Sequence, residues 1–409
     1  MRHRDRPGQL SYGWVIVGAV TVMIGVTYGL MFSYSVFFKP LADYFALDRA
    51  TVSLVYSASL IIRGAAAIGM GWLADRYGAR RMMAFCGFMV GAGLILSSSA
   101  HTLWQLFLTY AVVEAIGLSG AFGIGTAMVS RWFTEKRGLA MGIAASGSGL
   151  GTLLIVPGNE RLINALDWNG AFLVSGIAAA VLLVAAALLL RPAPPELTTI
   201  KAATSPALRA DKGLGAAIKD PRMILALLAF GLFFFSIQII MTHLVNYATD
   251  LGIDPLAAAT FISIIGAVSI VSRLSSGAGA DRIGIHNTLI LTRTFLVISF
   301  AIVIFSRPLW SFYIFALAFG LPYGGEIPQI PLYVGRYFGN RDLATLVGLC
   351  VFVTNIGGSL GPWLAGKLYD MTQSYDWAFI VGGLAGLASL ALVLALKRMD
   401  RVAEKSFVT

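Results

Sequence analysis

Charge is what this sequence has least of. Asp, Glu, Lys and Arg make up 12% of its 409 residues, about half the share of a soluble domain, too few to clothe a water-facing surface. Cysteine is nearly absent: Cys86 and Cys350 each sit inside an apolar stretch with no metal-ligand spacing. That excludes a disulfide framework and leaves both as packing residues. No nucleophile triad, metal-ligand cluster or nucleotide-binding loop stands out, so neither an enzyme nor a bound cofactor or metal is expected. The formal charge of +10 does not indicate nucleic acid, because the basic residues lie at the ends of apolar runs rather than on an aromatic-studded polar face. No short apolar segment with a small-residue cleavage site precedes the first long one, which reads as a retained N-terminus.

What is abundant is apolar sequence, 57% of the chain. A bilayer core takes about 20 apolar residues per helix, and twelve segments qualify: Gly13 to Phe37, Val52 to Ala74, Met82 to Ser99, Leu103 to Val129, Leu139 to Pro157, Gly170 to Leu190, Met223 to Tyr247, Leu256 to Gly279, Thr288 to Phe305, Leu309 to Val334, Ala344 to Ala365 and Trp377 to Leu396. Placing both termini in the cytoplasm puts 23 of the 30 Lys and Arg inside. The exceptions are Lys39, Arg49, Arg161, Arg307 and Lys367 outside, and Arg63 and Arg273 deep in helices; Arg293 counts as inside, near its helix end. The Pro-, Ala- and Lys-rich stretch 191–221 reads as a cytoplasmic linker between a first half, 1–190, and a second, 222–409.

The halves share a phrase. Gly71-Trp72-Leu73-Ala74-Asp75-Arg76-Tyr77-Gly78 returns as Gly277-Ala278-Gly279-Ala280-Asp281-Arg282-Ile283-Gly284, the mark of a duplicated structure. The pattern, Gly-x-x-x-Asp-Arg-x-Gly closing one membrane helix and opening the next, resembles the signature loop of the major facilitator superfamily. The resemblance implies an all-α membrane protein of twelve helices, in two pseudo-symmetric six-helix bundles around a central substrate cavity. Asp75, Arg76, Asp281 and Arg282 would then belong to loops that change with conformation. A second motif, Arg131-Trp132-Phe133-Thr134-Glu135-Lys136-Arg137-Gly138-Leu139-Ala140-Met141-Gly142-Ile143-Ala144-Ala145-Ser146-Gly147, resembles the monocarboxylate transporter signature and adds Arg131 to the conformational loop residues. Gly13-Trp14, Val36-Phe37-Phe38-Lys39 and Gly361-Pro362-Trp363-Leu364-Ala365-Gly366-Lys367-Leu368-Tyr369-Asp370 fit the same family. His243-Leu244-Val245-Asn246-Tyr247 resembles its bacterial members and the oxalate:formate antiporters. The chain thus looks like a bacterial monocarboxylate transporter homologue.

A charge at the bilayer centre costs about 2.5–3.5 kcal/mol even on the lenient insertion scale, so buried ionisable residues are functional candidates. Four stand out: Arg63, Glu114, Arg273 and Glu326. Arg63 and Glu114 lie at compatible depths for a structural ion pair, with a substrate or proton site as the alternative. Arg273, about 12 Å above Asp281 on its helix, has no acidic neighbour one turn before it. A guanidinium cannot shed its proton, so a carboxylate substrate is its natural counter-ion; in the resembled family this position carries the substrate-binding arginine. Animal members of that family carry an aspartate one turn earlier and a lysine near the end of helix one, where this chain has Ser269 and Phe32. Proton coupling therefore needs another acid. Glu326, set among Pro322, Gly324, Gly325, Pro328 and Pro331, is the first candidate and Glu114 the second. Pairing of Glu326 with Arg273 in the empty carrier would link proton and substrate. Asn355 falls where the antiporters carry a second cavity cation, and a neutral amide there favours one carboxylate over two. Tyr28, Gln238 and Tyr323 are further substrate-site candidates, and His243 reads as an interfacial or gating residue.

Together these readings point to a multi-pass protein of the bacterial inner membrane, working as a monomer in the lipid bilayer and driven by gradients. Its expected cargo is a small monocarboxylate such as L-lactate or pyruvate, moved with a proton by alternating access. The proton cancels the roughly 2.3 kcal/mol per 100 mV that an inside-negative potential sets against anion entry. A carboxylate anion exchanger of the oxalate:formate type is the alternative, since exchange needs no titrating group. A carboxylate sensor would require a soluble signalling domain that neither the tails nor the linker can hold.

Overall fold

The computed structural model describes residues 7–133, 137–192, 214–338 and 343–406, and among them every regular element is helical. The helices are α1 (Pro7–Phe45), α2 (Arg49–Tyr77), α3 (Ala79–Ser97), α4 (Leu103–Leu106), a π-helix (Phe107–Glu114), α5 (Ala115–Leu118), α6 (Gly120–Trp132), α7 (Arg137–Leu188), α8 (Leu214–Lys219), α9 (Pro221–Asp250), α10 (Pro255–Ile283), α11 (Ile285–Phe305), α12 (Leu309–Gly325), α13 (Gln329–Phe338), α14 (Leu343–Thr372) and α15 (Asp376–Ser406). Among the described residues, ten apolar spans are long enough by themselves to cross a membrane. One of them, within α7, is two crossings divided at Asp167, whose φ of 60° and ψ of 176° leave the helical region. Another crossing is made by α12 and α13 together, interrupted at Glu326-Ile327-Pro328. The described residues thus make the twelve crossings expected. Most of the expected linker, 193–213, lies outside the described residues.

Helix ends are set by local chemistry. Asp220 and Asp254 cap α9 and α10, accepting from the backbone N–H of Arg222 (2.9 Å) and Ala257 (3.0 Å), each followed by a proline that has no N–H to lose. Thr102 and Gln105 form a reciprocal capping box at α4. The repeated Asp-Arg phrases turn alike: Gly78 has φ 91° and Gly284 φ 85°, a left-handed setting that a β-carbon would strain.

The chain divides into two compact units, Met1–Ser33 with Ile62–Ala207 and Tyr34–Ile61 with Leu208–Thr409. The division does not follow the linker alone, since the tip of the first hairpin belongs to the second unit. In lipid no hydrophobic force drives helix against helix, and small residues let backbones approach instead. In the first unit α7 lies on α1 so closely that a β-carbon at Gly151 would stand 1.7 Å from Gly25 O. In the second unit α14 crosses α9 the same way, with 2.3 Å from a β-carbon at Gly357 to Gly231 O. The duplication read from the loops is thus repeated in the packing. Cys86 and Cys350 are both buried, Cys350 in the apolar core of the second unit with Phe230, Tyr333 and Leu346.

Candidate functional site

Arg273 stands on α10 where that helix meets α12. The approach is close because the facing residues are small: a β-carbon at Gly324 would lie 2.3 Å from Ser269 O, and one at Gly320 2.6 Å from Val268 Cβ. Ser272 Oγ donates to Leu321 O (2.5 Å) and Gln329 Nε2 to Ser276 O (3.1 Å), tying α10 to the broken α12–α13 crossing. Between these ties Arg273 is 6% exposed, its guanidinium carbon 5.6 Å from the centre of the Tyr323 ring. Of the expected substrate-site residues, these two are brought together. Ser269, where the resembled family carries an acid, is fully buried and bonded to its own helix at Gly266 O (2.7 Å).

Glu326 occupies the break between α12 and α13, as its flanking glycines and prolines predict, but its partner is Arg293 and not Arg273. Arg293 Nη1 and Nη2 grip the two carboxylate oxygens at 2.9 and 2.8 Å, and Thr292 Oγ1 adds a donor at 3.3 Å. Both charged side chains are fully buried. Arg293 Nε donates to Ser389 Oγ (2.9 Å), and its guanidinium lies 5.2 Å from the Phe233 ring centre. Position in the sequence assigned Arg293 to the cytoplasmic end of its helix. The sequence signal for it is Thr292-Arg293-Thr294, a polar triplet two turns inside the helix.

The other expected substrate-site residues lie on α9, α14 and α1. Gln238 is buried on α9, its amide donating to Tyr56 OH (3.3 Å), and its stem meets α14 at Gly358, where a β-carbon would be 3.1 Å from Gln238 Cγ. Asn355 turns its amide back to Val351 O (2.9 Å) on α14. Tyr28 belongs to the first unit and packs between Phe32 and Phe122, ring centres 6.2 and 6.3 Å away.

The expected ion pair in the first unit is not formed. Glu114 closes the π-helix, fully buried, and neither carboxylate oxygen has a hydrogen-bond partner. Arg63 on α2 acts on it through space alone, and donates instead to the Met31 sulfur. Matching depths along two helices were not enough, because the hydrogen-bonded contact also requires the two faces to meet.

At the end of the second unit opposite the Asp281–Gly284 turn, a charge cluster joins the first hairpin to α9, α14 and α15. Arg49 forks onto Asp250 at 2.7 and 3.0 Å, and Lys39 reaches the same carboxylate at 2.6 Å. The Arg49 guanidinium lies 3.7 Å above the Tyr369 ring centre and donates to Tyr375 OH (2.6 Å). Asp370 accepts from the backbone N–H groups of Arg49 and Ala50 at 3.0 and 2.8 Å. Beneath them His243 is fully buried, held by Tyr375 OH (3.0 Å) and Pro362 O (2.9 Å). Burial pushes the Tyr375 phenol above its ordinary range, so it remains a protonated hydrogen-bonding group.

Of the loop residues, Arg76 lies over Trp72 and Tyr77, 5.6 and 5.8 Å from the ring centres. Arg131 and Arg282 are exposed at the ends of α6 and α10. The side chains of Asp75 and Asp281 lie outside the described residues, as do Thr134, Glu135 and Lys136 of the second motif.

Comparison with known proteins agrees with this architecture. The model of the Major Facilitator Superfamily matches residues 20–324. Monocarboxylate transporter 3 of Rattus norvegicus is 31% identical over 418 residues, covering 97% of this chain and 82% of the relative. Monocarboxylate transporter 13 of the same species is 28% identical over 400 residues, covering 97% and 91%. Among solved structures, a D-xylose-proton symporter superposes with a TM-score of 0.74 at 15% identity, covering 93% of this chain and 97% of its own. A bacterial homologue of the lysosomal transporter Spinster, inward-facing and unoccupied, gives 0.69 at 15%, covering 99% and 98%. At such identities these two establish the fold alone.

Proposed function

The chain belongs to the major facilitator superfamily and, within it, to the monocarboxylate transporter family; from that premise we propose that it carries a small monocarboxylate such as L-lactate or pyruvate across the membrane by alternating access, together with a proton. The observation that carries the reading is Arg273, a permanently charged side chain buried inside a membrane-spanning helix against an aromatic ring. Its planar fork suits a carboxylate, and an aromatic wall suits the short apolar body behind it. The names of the relatives supply the same substrate class. Asn355, Gln238, Tyr323 and Tyr28 are proposed to complete the site with neutral polar groups, which balances one negative charge and not two.

The remaining expectations join the proposal: bundles 1–190 and 222–409 moving about the linker 191–221, the Asp75-Arg76, Arg131 and Asp281-Arg282 loops changing between states, both termini cytoplasmic in a bacterial inner membrane, and a functional monomer. Anion exchange is the second reading, favoured by the serine at position 269 where related transporters carry an acid. Purified protein in liposomes tests the substrate claim. Arg273→Lys keeps the charge but loses the fork, and is expected to reduce lactate uptake at least tenfold with folding retained. Near-normal uptake by Arg273→Gln would remove the foundation of the reading.

A further inference from the structure

The proposed co-transport leaves open which group takes the proton. Glu326 is poorly suited, because two guanidinium N–H groups and a hydroxyl already hold its carboxylate. Glu114 is in the opposite situation: fully buried, with no donor on either oxygen. A carboxylate stripped of water and of donors is among the costliest groups to keep ionised, and gaining a proton removes that cost.

The surroundings keep it so. Glu114 is the last residue of the π-helix, inside a membrane span that is otherwise α-helical; such wide turns are rare and concentrate at functional positions. On α3, Gly93 presses on it so directly that a β-carbon would lie 2.6 Å from both Glu114 Cβ and its backbone nitrogen. The nearest polar group of α3, Ser97, is engaged with Gly93 O (2.7 Å) and Thr109 Oγ1 (2.8 Å). Tyr110, one turn back, is buried beside Phe172 of α7, ring centres 6.0 Å apart. The charge that acts on Glu114 from a neighbouring element is Arg63 of α2, through space and without a hydrogen bond. An approach of α2 that brought Arg63 within hydrogen-bond reach would turn that attraction into a contact.

We propose that Glu114 is the proton-binding site of this transporter, neutral where Arg63 stands off and ionised where Arg63 closes on it. The proton is taken from water on one side onto a Glu114 oxygen and returned to water on the other, with no other bond made or broken. The proposal rests on proton co-transport as read above, and two measurements separate the two ideas.

In liposomes containing the full chain and radiolabelled lactate, the native protein should be stimulated by an inward proton gradient. Glu114→Gln, isosteric with the neutral acid, should lower the ratio of gradient-driven uptake to lactate counterflow at least tenfold. Infrared difference spectra of the native protein should contain a protonated-carboxyl C=O band that disappears in the glutamine variant. Gradient stimulation retained in that variant, or an unchanged band, overturns the role of Glu114 and leaves co-transport standing. A native protein indifferent to the gradient overturns co-transport and this role together. Should the glutamine variant fail to accumulate, Glu114→Asp decides: a shifted pH midpoint of uptake supports the assignment, and an unshifted one refutes it.

Discussion

Replacing Glu326 by glutamine would strand the guanidinium that it neutralises. Arg293 donates through Nη1 and Nη2 to the carboxylate at 2.9 and 2.8 Å, and through Nε and Nη1 to Ser389 Oγ and Leu289 O at 2.9 and 3.3 Å. The last two acceptors survive the substitution, but both are neutral. An arginine cannot discard its proton to suit an apolar site, and removing one partner of a buried pair costs about 3–5 kcal/mol. At about 2–4 °C per kcal/mol for a domain the size of the second unit, its melting temperature in the purified protein should fall by roughly 6–20 °C. Converting Arg293 to glutamine as well removes the stranded charge and should recover most of the loss, since a buried pair is worth little net of its desolvation. The assay is thermal unfolding of the native, single and double variants in one detergent, each beside its liposome transport. A single variant that melts within about 2 °C of native, yet loses its response to a proton gradient, would refute the argument and return the proton to Glu326.

Two further outcomes follow from the packing and from the site. Gly151→Ala and Gly357→Ala place a methyl 1.7 and 2.3 Å from a neighbouring backbone oxygen; each should lower thermal stability by at least the 1–3 kcal/mol typical of overpacking, whereas Gly69→Ala, with open space around it, should be neutral or slightly stabilising. Asn355→Lys would add a second cation to the proposed site, and direct binding measurements should find lactate weakened and oxalate gained; unchanged lactate binding with no oxalate binding would place Asn355 outside the site.

Much of the fold was legible because the membrane imposes a length and a polarity on every crossing, and each apolar run meets both. The turn glycines were legible too, since Gly78 and Gly284 follow identical Asp-Arg pairs and only one backbone setting ends both helices so tightly. Partnerships were less so. Arg293 and Glu326 are separated by a helix and a loop, and nothing in the local sequence says which faces of their helices meet. Lys39 and Arg49 entered the reading as topological charges, yet they converge on Asp250 from the far side of the sequence. The π-helix at Phe107–Glu114 has no proline or glycine to announce it, so the depth of Glu114 could be counted but not its direction. Arg273 was found by the one property that sequence does carry, a charge within an apolar run with no acid a turn away.

Asp370 accepts from two N–H groups at the start of α2 although it belongs to α14, more than 300 residues further along the chain. A helix start is ordinarily secured by a residue beside it, and so persists wherever the helix goes. Here the anchoring is shared: Asp48 caps the Thr51 N–H from beside the helix at 2.8 Å, but the first two N–H groups of α2 are satisfied only while the hairpin rests on its distant neighbour. Parting the two would bare a pair of backbone donors at the same moment that it frees Arg49 from Asp250, and water must supply the replacements. The hairpin tip therefore behaves as a clasp with a hydration threshold, held most firmly when dry and loosened by the solvent it admits.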